Sequence, residues 1–481
     1  MIVCSTFAGR TVAVFGLGRS GLTAVASLKA GGANVIAWDD GESARARAGE
    51  LDVAVADLAN IDWSDIAALV LAPGVPLTHP APHWTVEKAR AAEVDIIGDT
   101  ELFFRARDEA ARDLGIVPRV IAITGTNGKS TTSALTAHLL ADAGCDVALG
   151  GNIGDAVLGL EAFDGSRIYV IEFSSYQIDL TPSLHPQGAA LLNVTPDHLD
   201  RHGSLEHYAA VKARVFKQLE TGDTAVVGID DPLSAAIAKH IPPAATRIKI
   251  TTSAQIDDGL AVRNGKLFVH RAGTPIEAAD FSANLALRGA HNGQNVAAAW
   301  MLATAMDVTP EALQRGLASF AGLAHRLEYV GHLPKPDGRV LFVNDSKGTN
   351  AEAAGHALAA FDDIFWIAGG RAKDGGISGL AERFDRLRAA FLIGEAADDF
   401  AATLRALGGD TDAITLSGEL DRAVEQATTA AVASPIAEPV VLLSPAAASF
   451  DQFADFEKRG DAFRKKLRAL PGFVPASEEH H

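Results

Sequence analysis

One segment constrains this chain more than any other: Val120-Ile-Ala-Ile-Thr-Gly-Thr-Asn-Gly-Lys-Ser-Thr-Thr132, an apolar strand that runs through a glycine-lysine-serine loop into a helix. Such a turn aims the backbone N–H groups of Gly125, Thr126, Asn127, Gly128 and Lys129 at one point beside a helix N-terminus, which makes a cradle for a phosphate chain. Lys129 adds a point charge, and the hydroxyl of Ser130 or Thr131 can reach a phosphate-bound Mg²⁺. The common form of this loop carries a glycine where Ile123 stands, so this is a shorter Thr-Gly-Thr-Asn-Gly-Lys variant. ATP is the expected ligand.

The rest of the chain is organised around similar strand-loop-helix units. Its 481 residues correspond, at about 150 per domain, to three α/β domains with expected bounds 1–98, 99–324 and 325–481. The first opens with a strand over 11–15, a glycine turn, a helix over 22–30 and a strand over 34–38, a Rossmann-like βαβ unit. The second is a P-loop-type ATPase domain with a mostly parallel sheet. In it the turn Arg263-Asn264-Gly265-Lys266 reads as a hairpin in a small antiparallel patch beside that sheet. A helix over 292–306 and a hinge near 322–326 follow. The third is again Rossmann-like, with strands over 340–343, 364–368, 389–393 and 440–443. Ligands in such sheets gather at the carboxyl ends of strands.

Composition excludes several partners. A net charge of −18 argues against nucleic acid or an anionic membrane surface as the partner. With only Cys4 and Cys145, neither a disulfide framework nor a thiolate zinc site is available, which fits a reducing cytoplasm. No secretory signal is read in the first 18 residues. Apolar runs stay well short of the ~20 residues that span a bilayer.

Three further places carry chemistry. Gly16-Leu-Gly18-Arg-Ser-Gly21 follows the first strand, and Asp39 ends the next. That pattern suits the pyrophosphate of a dinucleotide, or that of another nucleotide-linked ligand, or a purely structural turn, with Asp39 on a ribose hydroxyl or base edge. The strand over 168–171 delivers Glu172, a carboxylate able to hold Mg²⁺ on the sheet of the phosphate loop. His198, in Thr195-Pro-Asp-His198-Leu-Asp200-Arg-His202, reads on its own as a loop histidine bonded to backbone, with metal binding as the alternative. Lys212 reads by default as a solvated helix lysine.

Taken together, Ile123 to Ser130, Glu172-Phe-Ser-Ser-Tyr-Gln177, Asn193 to Asp200, His291-Asn-Gly-Gln-Asn295 and His325-Arg326 resemble the Mur ligase family, whose members form amide bonds in cytoplasmic peptidoglycan synthesis. Asn344-Asp-Ser-Lys-Gly-Thr-Asn350 and the stretch from Leu443 to Phe456 resemble its D-glutamate-adding branch. The resemblance implies that ATP activates the L-alanine carboxylate of UDP-N-acetylmuramoyl-L-alanine as an acyl phosphate, which the amine of D-glutamate then attacks. It implies two Mg²⁺ ions, one on Ser130 and Glu172, the other on His198 and on Lys212 as an N6-carboxylysine. Lys129, Glu172, His198 and Lys212 are then the catalytic set, and the expected fate of Lys212 is reversed. The resemblance further places the UDP-linked substrate on Gly18, Arg19, Ser20, Asp39, Ala72, Pro73, Gly74, Asn152 and Gln177. ATP adds Asn295, Arg326 and Asp345 to the loop residues. Lys347, Thr349, Lys373, Ser449 and Phe456 form the D-glutamate pocket, in which two lysines and two hydroxyls meet a dianionic amino acid. A monomer whose domains close on their substrates is expected.

Overall fold

The computed structural model describes residues 1–372, 375–408 and 413–476. The chain separates into two compact units, Met1–Asp280 with Gln294–Leu317, and Phe281–Gly293 with Ala318–His481. Among the described residues, strands form three sheets, each drawn from one continuous stretch of sequence.

The first unit holds two of them. β1 (Thr11–Phe15), β2 (Asn34–Trp38), β3 (Ala54–Val55), β4 (Ile66–Leu71) and β5 (Asp95–Ile97) lie in the order β3-β2-β1-β4-β5, all parallel. The order reverses between β1 and β4, so the first glycine loop and the turn Ala72-Pro73-Gly74 leave neighbouring strands at a switch point. The second sheet contains β6 (Arg119–Thr124), β7 (Val147–Gly151), β8 (Ile168–Glu172), β9 (Gly188–Leu191), β10 (Thr224–Gly228), β11 (Thr246–Thr251), β12 (Gly259–Arg263), β13 (Lys266–Arg271) and β14 (Thr274–Asp280). Their order is β14-β13-β12-β11-β10-β9-β6-β8-β7. Here the reversal is at β6, which pairs in parallel with β8 and β9, so the phosphate loop emerges between Glu172 and Asn193. The expected hairpin exists, with Arg263 opposite Lys266. It is not a separate patch: β11 and β12 pair in parallel over Ile250 and Thr251, and β14 extends the same sheet.

β6 is buried along nearly its whole length, as a strand covered on both faces by helices must be. One apolar cluster runs from Ile2 and Phe7 through Phe103 and Phe104 to Tyr169, Leu191 and Val227, so both sheets of this unit share a core. The helix Asp99–Leu114 lies within it; acidic Asp99 and Glu101 suit its first turn, and Gly115 ends it in the left-handed conformation.

The second unit holds the third sheet: β15 (Glu328–Lys335), β16 (Gly338–Asn344), β17 (Ile364–Gly369), β18 (Leu387–Ile393), β19 (Ile414–Gly418), β20 (Val440–Leu443) and β21 (Val474–Pro475). The order is β19-β18-β17-β20-β16-β15-β21, antiparallel only at β15 and β21. Since β16, β17 and β20 are parallel neighbours, the loops after Asn344, Gly369 and Leu443 leave on one edge.

Candidate functional site

At the end of β6 the loop turns sharply at Gly128, whose φ is +85°. A Cβ there would lie 2.3 Å from Asn295 Oδ1 and 3.1 Å from Leu192 Cδ1, so glycine is required on space as well as on backbone. The helix Lys129–Asp142 begins immediately, and Gly128 supplies no side-chain cap. Its first-turn N–H groups therefore present a positive pole to an anion. Lys129 Nζ donates to the carbonyls of Gly125 (3.0 Å) and Thr126 (2.7 Å), folding the lysine over its own loop. Asn193 accepts from Asn127 N–H at 2.8 Å, and Thr132 Oγ1 donates to Asn295 Oδ1 at 3.1 Å, fixing both sides of the loop.

Glu172 is buried at the end of β8, in register with Ile123. Its Oε1 accepts from Asn152 Nδ2 at 2.7 Å, while Oε2 is buried and has no hydrogen-bond partner. A buried carboxylate oxygen left open is costly, and it is the natural seat of a cation.

Lys212 departs from its default reading. It is 1% exposed, not solvated. The helix Leu205–Ala213, capped by Ser204 on His207 N–H, turns Tyr208, Val211 and Lys212 to the same interior stripe. Lys212 Nζ lies 4.6 Å over the Tyr208 ring and donates to Gly125 O at 2.8 Å and Thr124 Oγ1 at 3.4 Å. Burial, and then the neighbouring charge of Lys129, hold its pKa well below the usual lysine range. His198 also differs from its default: its ring faces the Asp197 carboxylate, with Nε2 to Oδ2 at 3.4 Å, and is 49% exposed.

The first glycine loop resembles the second in leaving a helix, Arg19–Ala30, without a side-chain cap. Arg19 and Gly18 are exposed and Ser20 half-buried at this end. Asp39 Oδ2 accepts from Leu17 N–H at 2.6 Å and Oδ1 from Gly41 N–H at 2.8 Å, so its carboxylate shapes the loop. Gln177 is buried and returns its Oε1 to Ser174 in a capping box at the start of helix Ser175–Asp179. Arg201 Nη1 donates to Gly74 O at 2.8 Å, joining the Ala72-Pro73-Gly74 turn to the loop that bears His198.

In the second unit Asp345 follows β16 and Ser444 follows β20, and Ser444 Oγ donates to Asp345 Oδ2 at 2.7 Å. Leu327 N–H donates to Asp345 Oδ1 at 3.2 Å, beside Arg326. Burial pushes the Asp345 carboxyl up to about 7, against the Ser444 and Leu327 hydrogen bonds that lower it. Lys347 Nζ lies 3.9 Å from the Phe456 ring centroid. Thr349 and the buried Ser449 stand on the loops after β16 and β20. Lys373 lies outside the described residues. A residue not singled out in the sequence ties these loops together. Arg459, 1% exposed, donates from Nε to Ser346 Oγ (3.0 Å) and from Nη2 to Ser346 O (2.9 Å) and Ala447 O (3.2 Å). The helix Phe456–Arg468 buries Arg459, Gly460, Phe463 and Leu467, so the helical period puts this arginine on the apolar stripe. That periodicity is the signal that finds it.

Residues 123–303 match the Mur ligase middle domain. A UDP-N-acetylmuramoylalanine--D-glutamate ligase of Nitrobacter hamburgensis is 53% identical over 478 residues, covering 99% of this chain and 100% of that protein. This chain belongs to the Mur ligase family. A relative of the same name from Brucella suis is 50% identical, with both chains covered completely. Among solved structures, the UDP-N-acetylmuramate-alanine ligase MurC of Thermotoga maritima superposes with a TM-score of 0.56 at 17% identity, covering 95% of this chain and 99% of that one. MurF of the same organism, solved in complex with ADP, gives 0.53 at 18% identity and covers 84% and 89%. This Mur ligase therefore shows its phosphate loop, Glu172 and Lys212 gathered in one unit, and Asp345, Lys347, Ser449 and Phe456 in the other. Among the described residues no helix is long and apolar enough to cross a membrane.

Proposed function

We infer that this Mur ligase is an ATP-dependent enzyme that joins D-glutamate to UDP-N-acetylmuramoyl-L-alanine in peptidoglycan precursor synthesis. The observation that carries the substrate assignment is the end-to-end match, at 53% identity, to a protein bearing that activity in its name. The uncapped helix after Gly128 and the open oxygen of Glu172 support the nucleotide and metal side. Residues 1–98 are assigned to the UDP-linked substrate, 99–324 to ATP and 325–481 to D-glutamate. The enzyme is proposed to work as a cytoplasmic monomer.

The chemistry follows from what an ionised carboxylate cannot do. Its oxygen is too poor a leaving group for an amine to displace at neutral pH. A carboxylate oxygen of the L-alanine therefore attacks the γ-phosphorus of ATP, and ADP leaves. The amine of D-glutamate attacks the acyl carbon, the amide forms, phosphate departs with that carboxylate oxygen, and the amine gives up its proton. Anionic groups crowd this point, so charge neutralisation is the main task of the protein. Lys129 and the N–H groups of the loop hold the phosphates, while Ser130, Thr131 and Asn295 complete the ATP side.

The residues present fit Mg²⁺. Glu172 Oε2 is an unpartnered buried anion, and Ser130 stands buried at the helix start. Among the described residues no three His, Cys, Asp or Glu side chains gather into a group that could hold a metal. Bound Mg²⁺ would supply charge neutralisation on Ser130 and Glu172, with a second ion on His198 and a carbamate of Lys212. A neutral amine is what CO₂ needs, and burial of Lys212, with the charge of Lys129 beside it, shifts the lysine toward that form. Asn152 holds Glu172 in place. Gln177, Gly18, Arg19, Ser20, Asp39 and the Ala72-Pro73-Gly74 turn receive the UDP-linked substrate. Arg326 and Asp345 receive the nucleoside of ATP, and Lys347, Thr349, Lys373, Ser449 and Phe456 the D-glutamate. Phosphate release by the full chain should require ATP, UDP-N-acetylmuramoyl-L-alanine and D-glutamate together. Equal release with L-alanine or a diamino acid in place of D-glutamate would reject the assignment.

A further inference from the structure

The short helix Leu199–His202 stands between two parts of the first unit that are distant in sequence. Arg201 Nη1 bonds Gly74 O at 2.8 Å in the turn after β4. Just past the helix, a Cβ on Gly203 would fall 2.5 Å from His79 Nε2, so the backbone there is packed on the segment that follows the same turn. At its other end the helix starts from His198, whose carbonyl accepts from Arg201 N–H at 3.0 Å. The Arg201 guanidinium lies 4.8 Å over the Tyr176 ring, and that ring is 5.2 Å from the His198 imidazole. The arrangement is a rigid post with the substrate turn at one end and the metal-side histidine at the other.

The post has donors to spare. A guanidinium carries five N–H groups. The Gly74 carbonyl takes one, and Nε is buried with no hydrogen-bond partner. Leaving a buried donor of a charged group unsatisfied is costly, so such an atom points to an acceptor that arrives with a ligand. Arginine suits this task better than lysine, because its plane can stack on Tyr176, donate to Gly74 and still present an N–H edge.

We propose that Arg201 is a substrate-positioning residue: its open N–H groups take an anionic oxygen of the UDP-linked substrate, while its bond to Gly74 and its seat on Tyr176 keep the substrate turn in register with His198. This rests on the assignment of residues 1–98 to that substrate. Occupancy of the turn is then sensed at the loop that carries the metal-side residues, which ties nucleotide-sugar binding to the chemistry.

The test compares wild type, Arg201→Lys and Arg201→Ala as full-length proteins, by steady-state kinetics and by calorimetric titration with UDP-N-acetylmuramoyl-L-alanine and, separately, ATP. Both variants should lose at least about tenfold in affinity for the UDP-linked substrate, with KM for it raised at least about tenfold, as expected for a hydrogen bond to a charged group, and with ATP affinity changed less than about threefold. Full rescue by lysine, or parallel loss of ATP affinity, would show a merely structural or diffuse electrostatic role and overturn the proposal. Should the alanine variant fail to fold, Arg201→Lys decides alone, with thermal unfolding as its control. Failure of wild type to bind the UDP-linked substrate would refute the domain assignment and this proposal together. Normal wild-type binding with an unaffected lysine variant would refute only the role of Arg201.

Discussion

Lys212 in the first unit and Arg459 in the second are both cations on the apolar stripe of a helix, and both are 1% exposed. Lys212 shares its stripe with Tyr208 and Val211, Arg459 with Gly460, Phe463 and Leu467. Their surroundings differ. Lys212 has one carbonyl at 2.8 Å and one hydroxyl at 3.4 Å, with the like charge of Lys129 nearby. Arg459 has Ser346 Oγ, Ser346 O and Ala447 O within 3.2 Å. Burial lowers both, but Arg459 only to about 10, so it stays charged at neutral pH. A buried cation that can shed its proton becomes a reagent. One that cannot must be fully paired, and becomes a scaffold.

The strongest way to break this contrast is Lys212→Ala, which should lower phosphate release by at least about 10³-fold, as expected when a charge-stabilising group is removed. Formate or acetate should restore part of that rate in this variant only. Unimpaired turnover would show that no carboxylated lysine is used. Next comes Arg459→Met, which leaves Ser346 O and Ala447 O without their donor. It should destabilise the second unit by about 1–3 kcal/mol for each carbonyl left without a donor in urea unfolding of the full chain, and raise KM for D-glutamate while leaving KM for ATP near wild type. Arg459→Lys should recover only part, because a single ammonium nitrogen cannot reach Ser346 Oγ, Ser346 O and Ala447 O from the separate Nε and Nη2 positions of a planar guanidinium.

Asp345 sharpens the comparison from the acidic side. Its folded pKa of about 7 stands above the ordinary 3.8, so the folded state binds the extra proton. Stability from this group is complete below pH 3.8 and is lost as pH rises through 7. Asp345→Asn removes that loss, and should raise stability at pH 8 by on the order of 1–3 kcal/mol, with the gain shrinking toward pH 4 in thermal unfolding. A gain independent of pH would contradict the shift. The smallest effect is expected at Asn350, whose Oδ1 caps Ala353 N–H at 2.8 Å. Asn350→Ala should cost about 1 kcal/mol without changing the KM for ATP.

Much of this was legible in the residues. The strand over 121–124, the glycine loop and the helix after it carry their own period and breaker signals, and the strand and helix appear within two residues of the expected bounds, as Arg119–Thr124 and Lys129–Asp142. Glu172 could be placed on the same sheet because an apolar strand ends on it. The environment of Lys212 could not be read as easily. Val211 and Ala213 flank it, and only the spacing from Tyr208 marks the buried face. Arg459 was hidden for a related reason: it lies among Lys458, Arg464, Lys465 and Lys466, where charge looks like solvent exposure. Arg201 bonds a carbonyl 127 positions away, and pairing across such a separation leaves no local pattern. The continuation of β12 to β14 from the main sheet was likewise a matter of two parallel pairs at Ile250 and Thr251.

The central claim is that ATP activates the L-alanine carboxylate at the loop of Gly128 and Lys129. Oxygen-18 in that carboxylate of UDP-N-acetylmuramoyl-L-alanine tests it most directly. Turnover with ATP and D-glutamate should release phosphate carrying one labelled oxygen per amide formed. Phosphate whose new oxygen comes from water, with the label retained in the UDP-linked product, would contradict the account.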